Sequence, residues 1–203
     1  MQSTTVITED KTTAKYFMSQ PEIRMNVILM SICWMTCSFD YYMVSFLLKY
    51  FPGNIYINSI MSTLSESVAY ILGGWMFAKF GVKYSFAISF GIAAVGGLGI
   101  LFYEMSTHFY SDNPATGVAP WIFPFLVLLA KFGISSGFNI CYVANPELFP
   151  LLFASTAIGF CNFLARGSTI FAPEVAELQS TTPMIIFSIL CVLSLLSSFG
   201  LKT

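Results

Sequence analysis

The sequence contains six long apolar stretches, and short polar or turn-forming segments separate them. A helix needs about 20 mainly apolar residues to cross the hydrocarbon core of a bilayer. Only 9% of the residues are charged, whereas about 25% is usual in a soluble domain, so lipid must solvate most of the surface. The stretches predict membrane spans at about 25–48, 55–77, 84–103, 119–143, 151–173 and 183–201.

The pattern predicts an all-α membrane protein with a six-helix transmembrane domain at 21–203 and a short polar tail at 1–20. The tail is rich in Ser and Thr and lacks an apolar core, so it is expected to be disordered rather than a secretory signal peptide. The connections carry residues typical of turns. They lie at 51–54, 79–83, 113–114, 145–146 and 180–183.

Basic residues cluster on one side of the membrane if the six helices alternate in direction. Cytoplasmic loops carry an excess of Lys and Arg, so this side is predicted to be cytoplasmic and to hold both termini. The plasma membrane is the expected location, with an organelle membrane as the alternative. The residues are Lys11, Lys15, Arg24, Lys79, Lys83 and Lys202.

Composition and motifs exclude several other classes of function. The formal net charge of -1 gives no basic field for nucleic acid. The five cysteines lie inside apolar stretches and the single histidine, His108, lies in a loop, so neither a metal site nor a disulfide framework is predicted. The sequence has no P-loop and no Gly-x-Ser-x-Gly motif. We therefore expect no enzyme activity, no cofactor and no metal.

Four linked segments in the second half of the chain are the most specific part of the sequence. They read KFGISSGFNICY at 131–142, ELFP at 147–150, GFCNFLARG at 159–167 and AP at 172–173. Weaker segments at 38–42, 53–58 and 66–70 precede them. In order and spacing, these segments resemble the last six helices of the organic cation, anion and zwitterion transporter family of the major facilitator superfamily.

The resemblance implies both a fold and a function. The implied fold is a major facilitator half-bundle made of two inverted three-helix repeats, and the implied function is transport of small organic ions by alternating access. A cavity of this kind lies between two halves, so a second six-helix half is the implied partner. Another chain or a second copy could supply it.

The gating charges depart from the family's pattern in two places. Ala78 stands where the loop before Lys79 usually has an acid, and no basic residue follows Pro150. The resemblance makes Lys79, Lys83 and Glu147 gating charges, and the departures imply altered gating. For Glu147, the alternative is a solvated carboxylate at a helix end.

Four ionisable side chains, Asp40, Glu66, Lys131 and Arg166, lie well inside the spans. Insertion of such a group costs about 2.5–3.5 kcal/mol or more, so each is a functional candidate. The resemblance implies that Arg166 faces the cavity, as in anion carriers, where a guanidinium would hold a carboxylate or sulfonate. A structural partner for Glu66 or Asp40 is the alternative. Glu66 and Lys131, the latter in a motif shared by cation and anion carriers, are assigned gating or structural roles.

The other candidate substrate-binding residues are one acid and four aromatics. Asp40 could bind a cation or carry a proton, or it could be a protonated carboxyl bonded to a neighbouring helix. Tyr41, Tyr42, Tyr70 and Phe138 could stack on an organic ion, including by cation–π contact. Packing against lipid or other helices is the alternative for each aromatic.

Two functions therefore stay open from the sequence. The first is a carrier half that transports small organic ions, which Arg166, Tyr41 and Tyr42 favour. The second is a non-transporting structural subunit of a larger membrane complex, which the departures at the gate favour. A third interpretation, that the sequence is an incomplete copy of a longer one, bears on both.

Overall fold

A computed structural model describes residues 19–50, 55–109, 122–178 and 181–202, and all of the regular structure in these ranges is helical. The prediction of an all-α chain is thus confirmed for the described residues. The predicted disordered tail falls almost wholly outside them, as do the predicted turns at 51–54 and 113–114. The helices are α1 (Pro21–Leu47), α2 (Ile55–Phe109), α3 (Ile122–Leu148), α4 (Leu151–Thr169), α5 (Ala172–Ala176) and α6 (Thr182–Gly200).

Helix α2 is two helices joined at one residue. Gly81 has φ 73° and ψ −176°, a non-helical conformation in the region that favours glycine. It divides α2 into a first arm at 55–80 and a second arm at 82–109. A turn is predicted from the sequence at 79–83, and the break lies inside that segment.

Four helices of the described residues are long and apolar enough to cross a membrane: α1, α2, α3 and α6. Many of their large apolar side chains are exposed at the surface of the bundle, as expected for helices solvated by lipid. The helix lengths and composition therefore support the prediction of a membrane protein.

Helix α3 continues beyond the point where the sequence predicts a turn. Pro146 lies inside the last turn of α3, and the helix ends at Leu148. A proline there removes only one backbone hydrogen bond close to a helix end, which the fold tolerates. The Asn145 side chain donates a hydrogen bond to the Ala154 carbonyl at 2.9 Å and thereby ties α3 to α4. The chain turns at 149–150, so the turn predicted at 145–146 is wrong.

Helix α4 ends earlier than predicted, at Thr169. Pro173 occupies the first turn of the separate short helix α5. Proline fits this position because its fixed φ is helical and its missing N–H would be unpaired there. The predicted fifth span at 151–173 is therefore a 19-residue helix followed by a short second helix.

The second arm of α2 packs on α3 through very small side chains. A Cβ added at Gly133 of α3 would lie 2.5 Å from the Ala93 nitrogen and 2.6 Å from the Ser89 carbonyl oxygen. One turn along, the hydroxyls of Ser89 and Ser136 are hydrogen-bonded at 3.0 Å. Small residues of this kind let two backbones approach closely in lipid, where no hydrophobic force drives helices together.

Replacing Gly133 with alanine is expected to lower the free energy of unfolding by about 1–3 kcal/mol, because the methyl group would collide with backbone atoms that cannot rotate away. The matched control is Gly91→Ala, because a Cβ there meets no atom within 4 Å. Unfolding in mixed detergent micelles, followed by circular dichroism, measures both. Equal stability of the two variants would contradict the close packing.

The two ends of the chain's described part meet at one end of the bundle. The Asn26 amide of α1 donates to the Lys202 carbonyl and accepts from the Lys202 N–H, both at 2.8 Å. The Lys202 ammonium also pairs with Glu22 at 3.3 Å.

Just after the end of α1, Lys49 forms a salt bridge with Glu177 at 2.9 Å. The hydrogen bond to Glu177 raises the pKa of the exposed Lys49 ammonium.

Candidate functional site

An ion pair between α2 and α3 is the centre of the site. Lys131 Nζ lies 3.2 Å from Glu66 Oε1, and the Lys131 side chain is only 1% exposed. The ammonium also donates to the Tyr41 carbonyl at 3.2 Å and to the Ser45 hydroxyl. All three of its hydrogens therefore have acceptors, which is what burial of a charged group requires.

Tyr41 of α1 closes this arrangement into a ring of contacts. Its hydroxyl donates to Glu66 Oε2 at 3.0 Å, and the Lys131 ammonium lies 3.7 Å from the centroid of its phenol ring. Helices α1, α2 and α3 are thus joined by one group of side chains, which we call the polar cluster: Tyr41, Ser45, Glu66 and Lys131. One positive and one negative charge cancel within it.

Arg166 of α4 lies on the exposed surface next to Tyr42. Its Nη1 donates to the Tyr42 hydroxyl at 2.9 Å, and its Cζ lies 6.0 Å from the centroid of the Tyr42 ring. Among the described residues, no carboxylate forms a salt bridge with Arg166. Its remaining N–H groups can therefore donate to a bound anion.

Aromatic rings connect Tyr42 with the interior of the bundle. The rings of Tyr42 and Tyr41 meet edge to face at 5.4 Å, and those of Tyr41 and Phe138 are stacked at 6.3 Å. Phe138 contacts Trp34 at 5.9 Å, and Trp34 contacts Tyr142 at 4.6 Å. Such a row can receive the face of an aromatic or cationic ligand.

Tyr70 is an exposed residue one turn beyond Glu66 on the first arm of α2. Its side chain is 42% exposed. Its carbonyl accepts a hydrogen bond from Asn139 of α3 at 3.0 Å. The structure therefore brings Tyr41 into contact with both Tyr42 and Phe138, while Tyr70 lies at the margin of the group.

The sequence interpretation missed three members of the site: Ser45, Trp34 and Tyr142. Ser45 lies one helical turn after Tyr41, and Tyr142 lies one turn after Phe138, so each shares a face with a residue that was chosen. Trp34 lies two turns before Tyr41 on α1. Helical periodicity around the chosen residues could have found all three.

Asp40 lies apart from this group of side chains, on another face of α1. It has no exposed surface. Its Oδ2 accepts a weak hydrogen bond from the Cys191 thiol of α6 at 3.5 Å. Successive residues of a helix point about 100° apart, so Asp40 faces α6 while Tyr41 faces α2 and α3.

A second feature is a cleft of about 640 Å³ at the end of the bundle where Asn26 binds residue 202. Four charged residues line it: Glu22, Lys83, Glu147 and Lys202. The predicted gating charges Lys83 and Glu147 therefore share one cleft. Lys79, the third, lies instead over the rings of Trp75 and Phe80, at 4.9 and 5.4 Å from their centroids.

Within the described ranges, no group of three or more His, Cys, Asp or Glu side chains could hold a metal ion. The five cysteines are buried free thiols. The polar cluster and Arg166 offer charge and hydrogen bonds to a ligand.

Comparison with known proteins identifies relatives over most of the chain. Solute carrier family 22 member 21 of Mus musculus is 28% identical over 156 residues, which are 75% of this chain and 25% of that protein. Solute carrier family 22 member 15 of Xenopus tropicalis is 29% identical over 170 residues, 81% of this chain and 31% of that protein. Organic cation/carnitine transporter 2 of Homo sapiens is 27% identical over 154 residues, which are 74% of this chain and 25% of that protein.

The chain is similar in sequence to solute carrier family 22 transporters. Its resemblance to organic ion transporters is therefore confirmed, and the apolar helices together with this relationship make it an integral membrane protein. The relatives are transporters and not enzymes, in agreement with the prediction. The chain spans about a quarter to a third of the length of these solute carriers. No family model matches it.

Proposed function

We propose that this chain is a six-helix half of a major facilitator carrier, which moves small organic ions across a membrane by alternating access with a second half. The helix lengths support six spans, because Gly81 divides α2 into two arms that can each cross the bilayer. The spans would then be α1, the two arms of α2, α3, α4 and α6. A chain that covers a quarter to a third of its relatives leaves room for a second bundle.

The observation that carries this proposal is the convergence of charged and aromatic side chains from four helices. The polar cluster takes residues from α1, α2 and α3, and Arg166 of α4 reaches Tyr42 beside it. Charged groups at membrane depth are costly and are kept where they bind or move an ion. In carriers of this type such groups line a cavity between two halves, near the middle of the membrane.

The proposed substrate is a small organic ion that carries an aromatic or alkylammonium group, an acid group, or both. Arg166 supplies hydrogen-bond donors for a carboxylate or sulfonate. The rings of Tyr41, Tyr42, Tyr70 and Phe138 supply faces for an apolar or cationic part. A human relative is named for organic cations and carnitine, and we extend that class of small organic ions to this chain.

The proposed gate is the cleft that Lys83 and Glu147 share with Glu22 and Lys202. When the second half approaches this end of the bundle, its charges would pair with these residues and close the cavity on that side. We propose that this end is cytoplasmic, together with both termini, because Lys83 and Lys202 line the cleft there. The plasma membrane is the proposed location.

Uptake into sealed vesicles that contain the purified chain alone tests the proposal. The probes are labelled tetraethylammonium and labelled benzenesulfonate, and the mass of the detergent-extracted protein is measured in parallel. Saturable uptake by a dimer is expected if two copies form the carrier. A monomer that gains uptake only when a second six-helix half is added would support a separate partner. No uptake under either condition would overturn transport and favour a structural subunit.

A further inference from the structure

Asp40 is a buried carboxyl that the proposed substrate site does not use. It has no exposed surface. One carboxyl oxygen, Oδ2, is bonded only to the Cys191 thiol at 3.5 Å. The other, Oδ1, has no hydrogen-bond partner among the described residues. A buried acid with one weak bond is exceptional, because buried polar groups are nearly always satisfied.

No cation of the described residues compensates this carboxyl. The two basic side chains that lie well inside the predicted spans are engaged elsewhere, Lys131 with Glu66 and Arg166 with Tyr42. None of the salt bridges in the described ranges includes Asp40. An ionised carboxylate here would be an uncompensated charge at membrane depth, so the neutral, protonated form is favoured.

In the part of the chain that the structure describes, no other donor or acceptor bonds to Asp40. The titratable group that faces it from α6 is Cys191, and Cys37, which contacts Cys141 of α3, lies about one turn before it on α1. From α4 and α5, no charged side chain in the described ranges lies within bonding distance. One turn away, the hydroxyls of Thr36 and Ser194 bond to each other at 2.8 Å.

Even the neutral, protonated carboxyl lacks a hydrogen-bond partner at one oxygen, and this favours exchange of its proton with water. Because Oδ2 accepts from Cys191, the acid proton belongs on Oδ1, where its O–H has no acceptor in the described structure. A water molecule reaching Oδ1 would supply that acceptor and could take the proton. Any motion that separates α1 from α6 would admit such a water.

We propose that Asp40 is an exchangeable proton-binding site, so that a proton is a second substrate of the carrier. In the binding step a hydronium ion gives its proton to Oδ1 and leaves as water, and in the release step Oδ1 returns the proton to water. Coupling to transport rests on the proposed function; proton binding does not. The link is α1, because Tyr41 next to Asp40 bonds Glu66 of the polar cluster, so motion of α1 at the site also moves Asp40.

A metal ion is a poor alternative ligand for this position. Sodium, magnesium and calcium are held by several oxygen ligands. Asp40 offers one carboxyl, and its described partner is a thiol. The proton is the ligand that a single carboxyl can bind alone.

Infrared spectroscopy of the full chain in lipid vesicles at neutral pH tests proton binding without transport. A protonated-carboxyl band is expected that moves to the deuterium position when the buffer is exchanged for D2O. The band should disappear in Asp40→Asn and persist in Glu66→Gln, the matched change at the other intramembrane acid. Cys191→Ala retains Asp40 and should shift the band, because it removes the hydrogen bond to Oδ2. Absence of the band, or a band that does not exchange in D2O, would overturn the proposal.

A proton gradient tests the coupling where the vesicles show uptake. Uptake of tetraethylammonium or benzenesulfonate is expected to change with a pH difference across the vesicle membrane, and this response should be lost in Asp40→Asn. The same response in Asp40→Asn as in the unmodified chain would overturn the coupling. A response to a sodium gradient alone would overturn it as well. Absence of all uptake would count against the proposed function, while the infrared result would still decide proton binding.

Discussion

Replacing Lys131 with alanine is expected to lower the free energy of unfolding by about 3–5 kcal/mol, because it removes one partner of a buried ion pair. Glu66 would keep its charge with only the Tyr41 hydroxyl as a partner. The Tyr41 carbonyl would also lose a donor. Unfolding in mixed detergent micelles, followed by tryptophan fluorescence, measures the change.

Two further variants separate the ion pair from general damage. Lys49→Ala breaks an exposed ion pair with Glu177 and should change stability little, because exposed pairs contribute little. The double variant Lys131→Met with Glu66→Gln removes both charges and should recover much of the stability that Lys131→Ala loses. If Lys131→Ala lowered the free energy of unfolding no more than Lys49→Ala does, the polar cluster would not hold the three helices together.

Replacing Arg166 with alanine is expected to lower kcat/KM for benzenesulfonate by about 10- to 100-fold. A hydrogen bond to a charged group contributes about 1.5–3 kcal/mol, and each 1.4 kcal/mol is about tenfold. Arg166 is exposed, so its loss should leave the helices folded. Initial rates of uptake over a range of probe concentrations, at equal protein abundance, give the change.

The control for Arg166 is Tyr42, the described hydrogen-bond partner of its guanidinium. Tyr42→Phe keeps the ring but removes the hydroxyl that accepts from Nη1. It should have a smaller effect than Arg166→Ala, because the guanidinium remains but is held less firmly. Arg166→Lys keeps the charge and loses the planar fork, so uptake should be only partly retained. Unchanged kinetics in Arg166→Ala would remove this residue from the substrate site.

The sequence was sufficient to predict helices and to select the intramembrane charges, because both depend on local composition. Apolar stretches near the length of a bilayer specify helices, and the cost of burying charge selects Glu66, Lys131 and Arg166. It could not predict their partners. The ion pair joins residues 66 and 131, and which two helices lie side by side depends on packing of the whole bundle.

Asp40 illustrates the same limit at the scale of one residue. It is adjacent in sequence to Tyr41, and the two were predicted to share a site. Rotation of about 100° per residue along α1 sends one side chain towards α6 and the other towards α2. Only the facing helices distinguish them: Cys191 bonds one, and Glu66 bonds the other.

The hydrogen bonds between Asn26 and Lys202 limit when the two ends of the bundle can join during synthesis. Asn26 lies near the start of the first helix, and its buried amide has both of its described hydrogen bonds to the Lys202 backbone. During synthesis, 176 positions separate the two partners. The amide can therefore make these two bonds only after α6 and residue 202 have been synthesised. The start of α1 is thus joined to the end of α6 late in synthesis, after the helices between them have been made.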